Sequence, residues 1–376
     1  MKVNKFWRAV AMLVTSTIGV GFYGIPFAFQ KAGFSFGLLF FGLVVALMLL
    51  TNLLYGEVIL RTHHRHQMVG YVNKYLGPWA RRINLFIFWV AIYGAMIAII
   101  IISGDFLANI LSFYLNFSPV IFSTLFLIFA ASLVLAGLKT VSRLDFLMML
   151  IFCGIVGLIA AVGFNNIQLV NYSFALTDFW FLPFGVILFS LSNSGIPLLR
   201  EVLVGQERSL KKAISVGTLI PAGLYLLFTF LVVGISGEIT SPDSISGLLG
   251  FLGTKIVVIG SVLGFLTSTT IFINIATALK ESLDEDFKIK NRAVWLFALV
   301  PPYLLFLSGI RNFIDIISLV GGVAVSIHSI LLIFLYAKAK KSGERVPEYS
   351  IRIPNWSLYL IMLVFALGAV YTILIK

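Results

Sequence analysis

Apolar residues run almost without interruption for about twenty positions at a time along this chain, then give way to short polar segments. The runs lack the period-two alternation of a barrel strand and are long enough to cross a hydrocarbon core about 30 Å thick as helices. Eleven are placed at 6–32, 36–60, 83–112, 118–137, 144–164, 179–204, 213–236, 254–280, 292–308, 313–337 and 356–375. The stretch 67–77 is short and amphipathic and reads as an interfacial helix, and another short helix is expected near 243–250. The pattern predicts an all-α integral membrane protein: one transmembrane domain over 1–376, with no loop long enough for a separate soluble domain.

Composition agrees and narrows the possibilities. Sixty per cent of the 376 residues are hydrophobic and 11% are charged, against roughly 25% charged in soluble domains. A soluble enzyme and a disordered chain are both excluded. Lys2, Lys5 and Arg8 ahead of the first run resemble a signal peptide. No small-residue cleavage site follows, so the run reads as a retained first helix. The net charge of +12 reports orientation rather than nucleic acid. With the N-terminus inside and eleven spans, 23 of the 27 Lys and Arg fall in inside segments, leaving Lys31, Lys255, Arg311 and Lys376 outside. That bias predicts a cytoplasmic N-terminus and an external C-terminus in the cell (inner or plasma) membrane.

Two spans depart from the rest. The first reads Thr15-Ser16-Thr17-Ile18-Gly19-Val20-Gly21-Phe22-Tyr23-Gly24-Ile25-Pro26, and the sixth reads Ser190-Leu191-Ser192-Asn193-Ser194-Gly195-Ile196-Pro197. Glycine and proline weaken a helix, and freed backbone groups at membrane depth must be buried in protein or line a cavity. One such span is readily explained by close packing. Two that sit five spans apart, with Gly-Ile-Pro triplets 171 residues apart, point to an inverted repeat with a substrate site between two discontinuous helices. Repeat one is placed at about 6–164, repeat two at about 179–337, and 356–375 is an extra helix.

The run TSTIGVGFYGIPFAFQKAG resembles the first helix of the amino acid/polyamine/organocation superfamily. Together with SNSGIPLLREVLVGQERSLKKAISVG in the sixth span, it is most similar to the amino acid/auxin permease branch, which includes the system A and system N neutral amino acid transporters. The resemblance implies the leucine-transporter fold, a 5+5 repeat and alternating access.

A zwitterionic amino acid needs donors for its carboxylate and acceptors for its ammonium. Gly19, Val20, Gly21 and Phe22 sit where a half-helix N-terminus supplies the donors, with the glycines admitting the ligand to the backbone. Unwound carbonyls from Ser190 through Ser192 to Asn193 supply the acceptors. Tyr93 is placed to offer a hydroxyl to the carboxylate, or else packs as an anchor. Phe189 serves as an apolar lid. Gly195 takes a position where relatives carry bulk, which leans towards a large or aromatic substrate.

The run around Thr267 and Ser268 is similar to the span-eight sodium motif of that fold. By that resemblance the two hydroxyls, with the carbonyls of Thr15 and Ile18 beside a break after Thr15, form a sodium site. The competing reading is that the hydroxyls bond their own helix. Protons are the rival coupling ion. Ionisable residues in apolar runs are Glu57, Asp105, Glu201, Asp315 and His328. Glu57 with Arg61, and Arg311 with Asp315, read as helix pairs; His328 reads as a packed histidine with a proton relay as the alternative.

Several weaker signals are set aside. Cys153 reads as a small core residue; His63, His64 and His66 as a solvated loop rather than a metal site; Asp284-Glu285-Asp286 as solvated. The glycine-rich 247–255 stretch lacks the order of a phosphate-binding loop. The expectation is therefore a secondary amino acid transporter, sodium-coupled and importing a neutral amino acid, with a proton-coupled and possibly aromatic permease as the alternative. A membrane enzyme or a channel stands further off. The partners expected are a small amino acid and the lipid bilayer, with no organic cofactor, nucleic acid or obligate protein partner.

Overall fold

The computed structural model describes residues 4–112, 114–136, 142–174, 177–193, 195–287 and 293–374. It is all helical across these residues. The first run divides into α1 (Lys5–Thr17) and α2 (Ile25–Ala32), joined by a 3-10 turn at Val20–Gly24 and bent by 54°. Gly33, at φ 85°, turns the chain into α3 (Phe34–Arg61), a conformation glycine adopts without a steric penalty. The interfacial helix is α4 (Met68–Leu76), followed by α5 (Pro78–Leu111), α6 (Pro119–Leu135) and α7 (Ser142–Gly163).

The second broken run comprises α8 (Leu182–Leu191) and α9 (Ile196–Val202). Next come α10 (Leu210–Ser236), α11 (Leu249–Phe287, interrupted at Gly253) and α12 (Ala293–Leu307). A third irregular run joins α13 (Phe313–Leu319) to α14 (Ser326–Ser342) through a π-helical turn at Val320–Val325, and α15 (Asn355–Leu374) ends the chain.

Among the described residues eight helices are long and apolar enough to cross a membrane, and nine once the bent α1–α2 pair counts as one span. α6 and the apolar Trp295–Leu307 are shorter. They lie where the two remaining predicted runs fall. The protein is thus a multi-pass helical membrane protein.

Its centre is α8, packed against α2, α3, α13 and the π turn. The π turn can come this close because a side chain on Gly321 would run into the Gly185 carbonyl at 1.9 Å. Exposed leucines, phenylalanines and isoleucines such as Leu125, Phe129, Leu296, Leu304 and Leu363 lie on the periphery, where lipid takes the place of a core.

The structure changes three expectations. Helix α1 continues through Thr15, Ser16 and Thr17, so the first break opens at Ile18 rather than after Thr15. Short side chains that bond back to Met12 and Leu13 keep that turn helical. Cys153 is exposed on α7 and faces away from the core. The element expected near 243–250 is a single 3-10 turn, Ser246–Leu248, running directly into α11. Lys2, Lys139, Ser194, Lys288, Lys290, Arg292 and Lys376 lie outside the described residues, as do the side chains of Arg143, Lys280 and Asp284 to Asp286.

Candidate functional site

The two breaks lie against each other. A Cβ on Gly21 would meet Phe189 Cδ1 and Ser190 Oγ at 2.7 Å, and one on Gly195 would meet Ser16 Oγ at 2.6 Å. These two glycines therefore let span one cross span six at contact distance. Gly195 makes room for Ser16 and not for a bulky ligand, so the argument from Gly195 to a large substrate does not hold. Gly19 is different: the nearest atom to a Cβ there is the Thr17 carbonyl at 3.9 Å. Its backbone, extended at φ −117° and ψ −167°, is open to close approach.

Asn193 lies between these crossings, in the non-helical stretch after α8. Both its Oδ1 and its Nδ2 are buried and have no hydrogen-bond partner. Buried amides are almost always satisfied, and leaving one unmade costs about 1–3 kcal/mol. An amide carrying a free donor and a free acceptor at the junction of two broken helices is fitted to a polar ligand. Ser190 and Ser192 instead spend their hydroxyls on Val186 and Phe189 carbonyls at 2.7 and 2.8 Å. Only their lone pairs remain available.

Tyr225, from α10, joins the first break across 208 residues. Its hydroxyl donates to the Thr17 carbonyl at 3.0 Å and faces the Gly19 backbone N–H. It satisfies groups that the interrupted helix cannot. Around it Phe22 is buried among Tyr23, Phe152, Tyr225 and Phe228, with ring centroids 3.9 to 5.7 Å away. Val20 and Phe22 are buried, while Phe189 is half-buried against Gly21.

Tyr93 does not join this site: its hydroxyl donates to the Phe297 carbonyl of α12 at 2.8 Å, which matches the anchoring alternative. The hydroxyls of Thr267 and Ser268, buried on α11, donate to Leu263 and Gly264 carbonyls at 2.9 and 2.8 Å. Among the described residues no group of three or more His, Cys, Asp or Glu could hold a metal ion; His63 and His64 are exposed and His66 packs on Tyr71.

Arg200 ties the basic end of the broken spans, donating to the Ile59 and Thr62 carbonyls at 2.8 and 2.7 Å. Lys5 reaches the Val204 carbonyl at 2.8 Å. Glu57, fully buried, pairs with Arg61 at 2.7 Å as expected, and it also accepts from Ser350 Oγ and from the Ile351 N–H at 2.6 Å.

Comparison with known proteins decides the family. The tryptophan/tyrosine permease family matches residues 2–373. The chain belongs to that family. It is a permease and not an enzyme. Two relatives from Haemophilus influenzae span nearly its whole length. Tyrosine-specific transport system 1 is 22% identical over 401 residues, covering 98% of this chain and 96% of its own. Tyrosine-specific transport system 2 is 25% identical over 394 residues, covering 97% and 95%. In three dimensions the permease is similar to MhsT, solved in complex with L-phenylalanine, with a TM-score of 0.61 at 12% identity over 98% of this chain and 97% of that one. That likeness gives the fold, which is leucine-transporter-like as the sequence motifs implied.

Sequence reasoning located both breaks and missed the residues that hold them. Nothing in the apolar run around Tyr225 marks its partner at Thr17, and Phe152 and Phe228 read as ordinary lipid-span aromatics. Arg200 was legible only as an inside charge.

Proposed function

We propose that this permease imports an aromatic amino acid, tyrosine or tryptophan, by alternating access driven by a cation gradient. Asn193 carries the reading: its unsatisfied amide lies where the two broken helices cross, close in sequence to the acceptors expected for an ammonium group. Gly19 leaves space beside the backbone of the facing helix, its N–H held by the Tyr225 hydroxyl, and the Phe22 cluster makes the wall beside it aromatic. Offset and edge-to-face ring pairs contribute about 0.5–1.5 kcal/mol beyond burial. The names of the two Haemophilus relatives support the same substrate class.

The proposal includes eleven spans, N-terminus inside and C-terminus outside, with repeats at about 6–164 and 179–337. It rests on the charge bias and on the two shorter apolar helices that fill the count. For the coupling ion, protons are the first reading, developed below. Sodium held by Thr15, Ile18, Thr267 and Ser268 is the second. It is favoured by the two adjacent buried hydroxyls, each of which keeps its acceptor lone pairs after donating to its own helix.

The test is uptake into proteoliposomes, with a panel of amino acids and imposed proton or sodium gradients. Tyrosine or tryptophan should accumulate above equilibrium, and Asn193→Leu should abolish it. Accumulation of small aliphatic amino acids in place of aromatic ones would overturn the substrate assignment. Equilibration without accumulation would make the protein a channel.

A further inference from the structure

At the end of α5 farthest from the basic loops, two acidic residues share one neighbourhood: Asn109, one turn along the helix from Asp105, donates to Asp243 Oδ2 at 3.1 Å. Asp105 stands 23 residues beyond Arg82, about 35 Å along the helix, and interacts electrostatically with Asp243 in the segment between α10 and α11. The surroundings of the two acids differ sharply. Asp243 is buried and accepts from Asn109 Nδ2 at 3.1 Å, Ser241 Oγ at 2.5 Å, Ser246 Oγ at 2.6 Å and the Ser246 N–H at 3.2 Å. Asp105 accepts from no described group. Among the described residues no cation offsets the pair. Asp243 is the charged group that acts on Asp105, while Lys255 is exposed and Arg311 donates to the Phe306 and Leu307 carbonyls. From α11 the facing group is the neutral Ser261, bound to Asn109 at 3.2 Å.

A second observation points into the same place. Tyr23, in the 3-10 turn of the broken first span, is fully buried, and its hydroxyl has no partner. Its carbonyl accepts from Ser244 Oγ. Ser244 itself sits at φ 59°, the one non-glycine described residue with positive φ. Such a conformation is disfavoured for a residue with a Cβ and persists where surrounding contacts impose it. The segment that carries Asp243 is therefore held down on the break of span one, beside a carboxyl that has no donors.

Two neighbouring carboxylates disfavour each other's charge, and the one without hydrogen-bond donors is the one on which a proton settles. Asp243 has four donors and Asp105 has none. We propose that Asp105 is a proton-binding site, occupied in this conformation, and that its proton couples transport by letting the Asp243 segment seat on Tyr23. The step is simple protonation: a hydronium ion from the aqueous phase at this end passes its proton to the Asp105 carboxylate and leaves as water. When the proton leaves, the restored repulsion lifts the segment and frees the outer half of the broken span. The coupling half of this inference rests on the transport reading above; the proton site does not.

The experiment has two arms on the full-length protein. In nanodiscs, infrared difference spectra across a pH titration should show a protonated-carboxyl band that is missing from Asp105→Asn and whose midpoint shifts in Asp243→Asn. In proteoliposomes, Asp105→Asn should keep tyrosine-for-tyrosine exchange while losing accumulation driven by a proton gradient. A band that survives in Asp105→Asn, or accumulation unchanged by that substitution, overturns the proposal. So does accumulation driven by sodium that Asp105→Asn abolishes, since the pair would then be a metal-ion site. If the wild type neither exchanges nor accumulates aromatic amino acids, the transport reading fails, and the infrared arm still decides the proton site because it needs no substrate.

Discussion

Replacing Arg200 with alanine should open the basic end of the permease. Arg200 lies on α9, the half of the broken sixth span at the basic end, and its guanidinium closes on the Ile59 and Thr62 carbonyls at 2.8 and 2.7 Å. Those carbonyls sit at the C-terminal end of α3, where the helix leaves acceptors unpaired and its dipole favours a cation. Under the proposed alternating access, with the basic end inside, α9 and the end of α3 part when the site opens at that end. The two bonds thus exist in one state and are lost in the other.

A hydrogen bond to a charged group contributes about 1.5–3 kcal/mol. Both groups regain water on opening, so we take one bond's worth as the net difference. That shifts the equilibrium towards the inward-open state by roughly 10- to 150-fold. Hydrogen–deuterium exchange in nanodiscs should rise at 196–204 and at 59–62, and tyrosine affinity from the outside should fall as the competent fraction shrinks. Arg200→Lys should recover part of the effect, because a point charge reaches one carbonyl and loses the fork. Glu201→Ala is the control: its contact with Arg65 spans 4.0 Å between half-exposed side chains, a kind of pair that contributes little. Unchanged exchange at 196–204 in Arg200→Ala would refute the latch.

Other outcomes follow from the same geometry. Gly21→Ala places a methyl 2.7 Å from Phe189 and Ser190 and should lower thermal stability by about 1–3 kcal/mol, whereas Gly19→Ala should leave melting unchanged and weaken tyrosine binding. Thr267→Ala with Ser268→Ala should leave proton-driven uptake intact; loss of a sodium-stimulated component would instead support the sodium site. Glu344 accepts from Lys74 at 2.5 Å and from the His63 N–H at 2.8 Å, which lowers its carboxyl from 4.5 to about 2. A depressed carboxyl stabilises the fold above its unfolded value and loses that contribution as pH falls towards 2. Amide exchange at 62–66 and 343–348 should therefore be faster in Glu344→Gln than in wild type at pH 6, with the difference closing as pH falls from about 4.5 towards 2.

Much of the architecture was legible because bilayer physics writes it into composition. Continuous apolar runs located the helices, and polar, glycine-containing interruptions located both breaks. Details set by packing were not legible. The residues Thr15 to Thr17 look like helix breakers as letters, yet their hydroxyls bond back to Met12 and Leu13 and carry α1 one turn further. Tyr93 and Tyr225 are equivalent in sequence, each a lone tyrosine in an apolar run. One meets α12 and the other meets the break, which depends on helix rotation and on partners more than 200 residues away. Cys153 shows the same ambiguity: a continuous apolar run does not say which face meets lipid.

The ties to the broken spans divide by position along the molecule. At the basic end Arg200 and Lys5 hold the inner halves through side chains that carry full charges. At the far end Ser244 holds the Tyr23 carbonyl with a neutral hydroxyl, beside two acids. At the crossing between them Tyr225 joins Thr17 to Gly19, and Asn193 is left unsatisfied. A permanent cation on a helix C-terminus does not respond to pH near neutrality, so the basic latch is available to be broken by substrate-driven motion rather than by protonation. An acid pair does respond. On the proposed proton-coupled cycle, the asymmetry gives each end its own trigger: a proton at the Asp105 end, and occupation of the Asn193 junction for the Arg200 end. A transporter needs the two sides to open under different conditions, and this distribution of charge supplies that difference with the half-helices and the Asp243 segment as the parts that move.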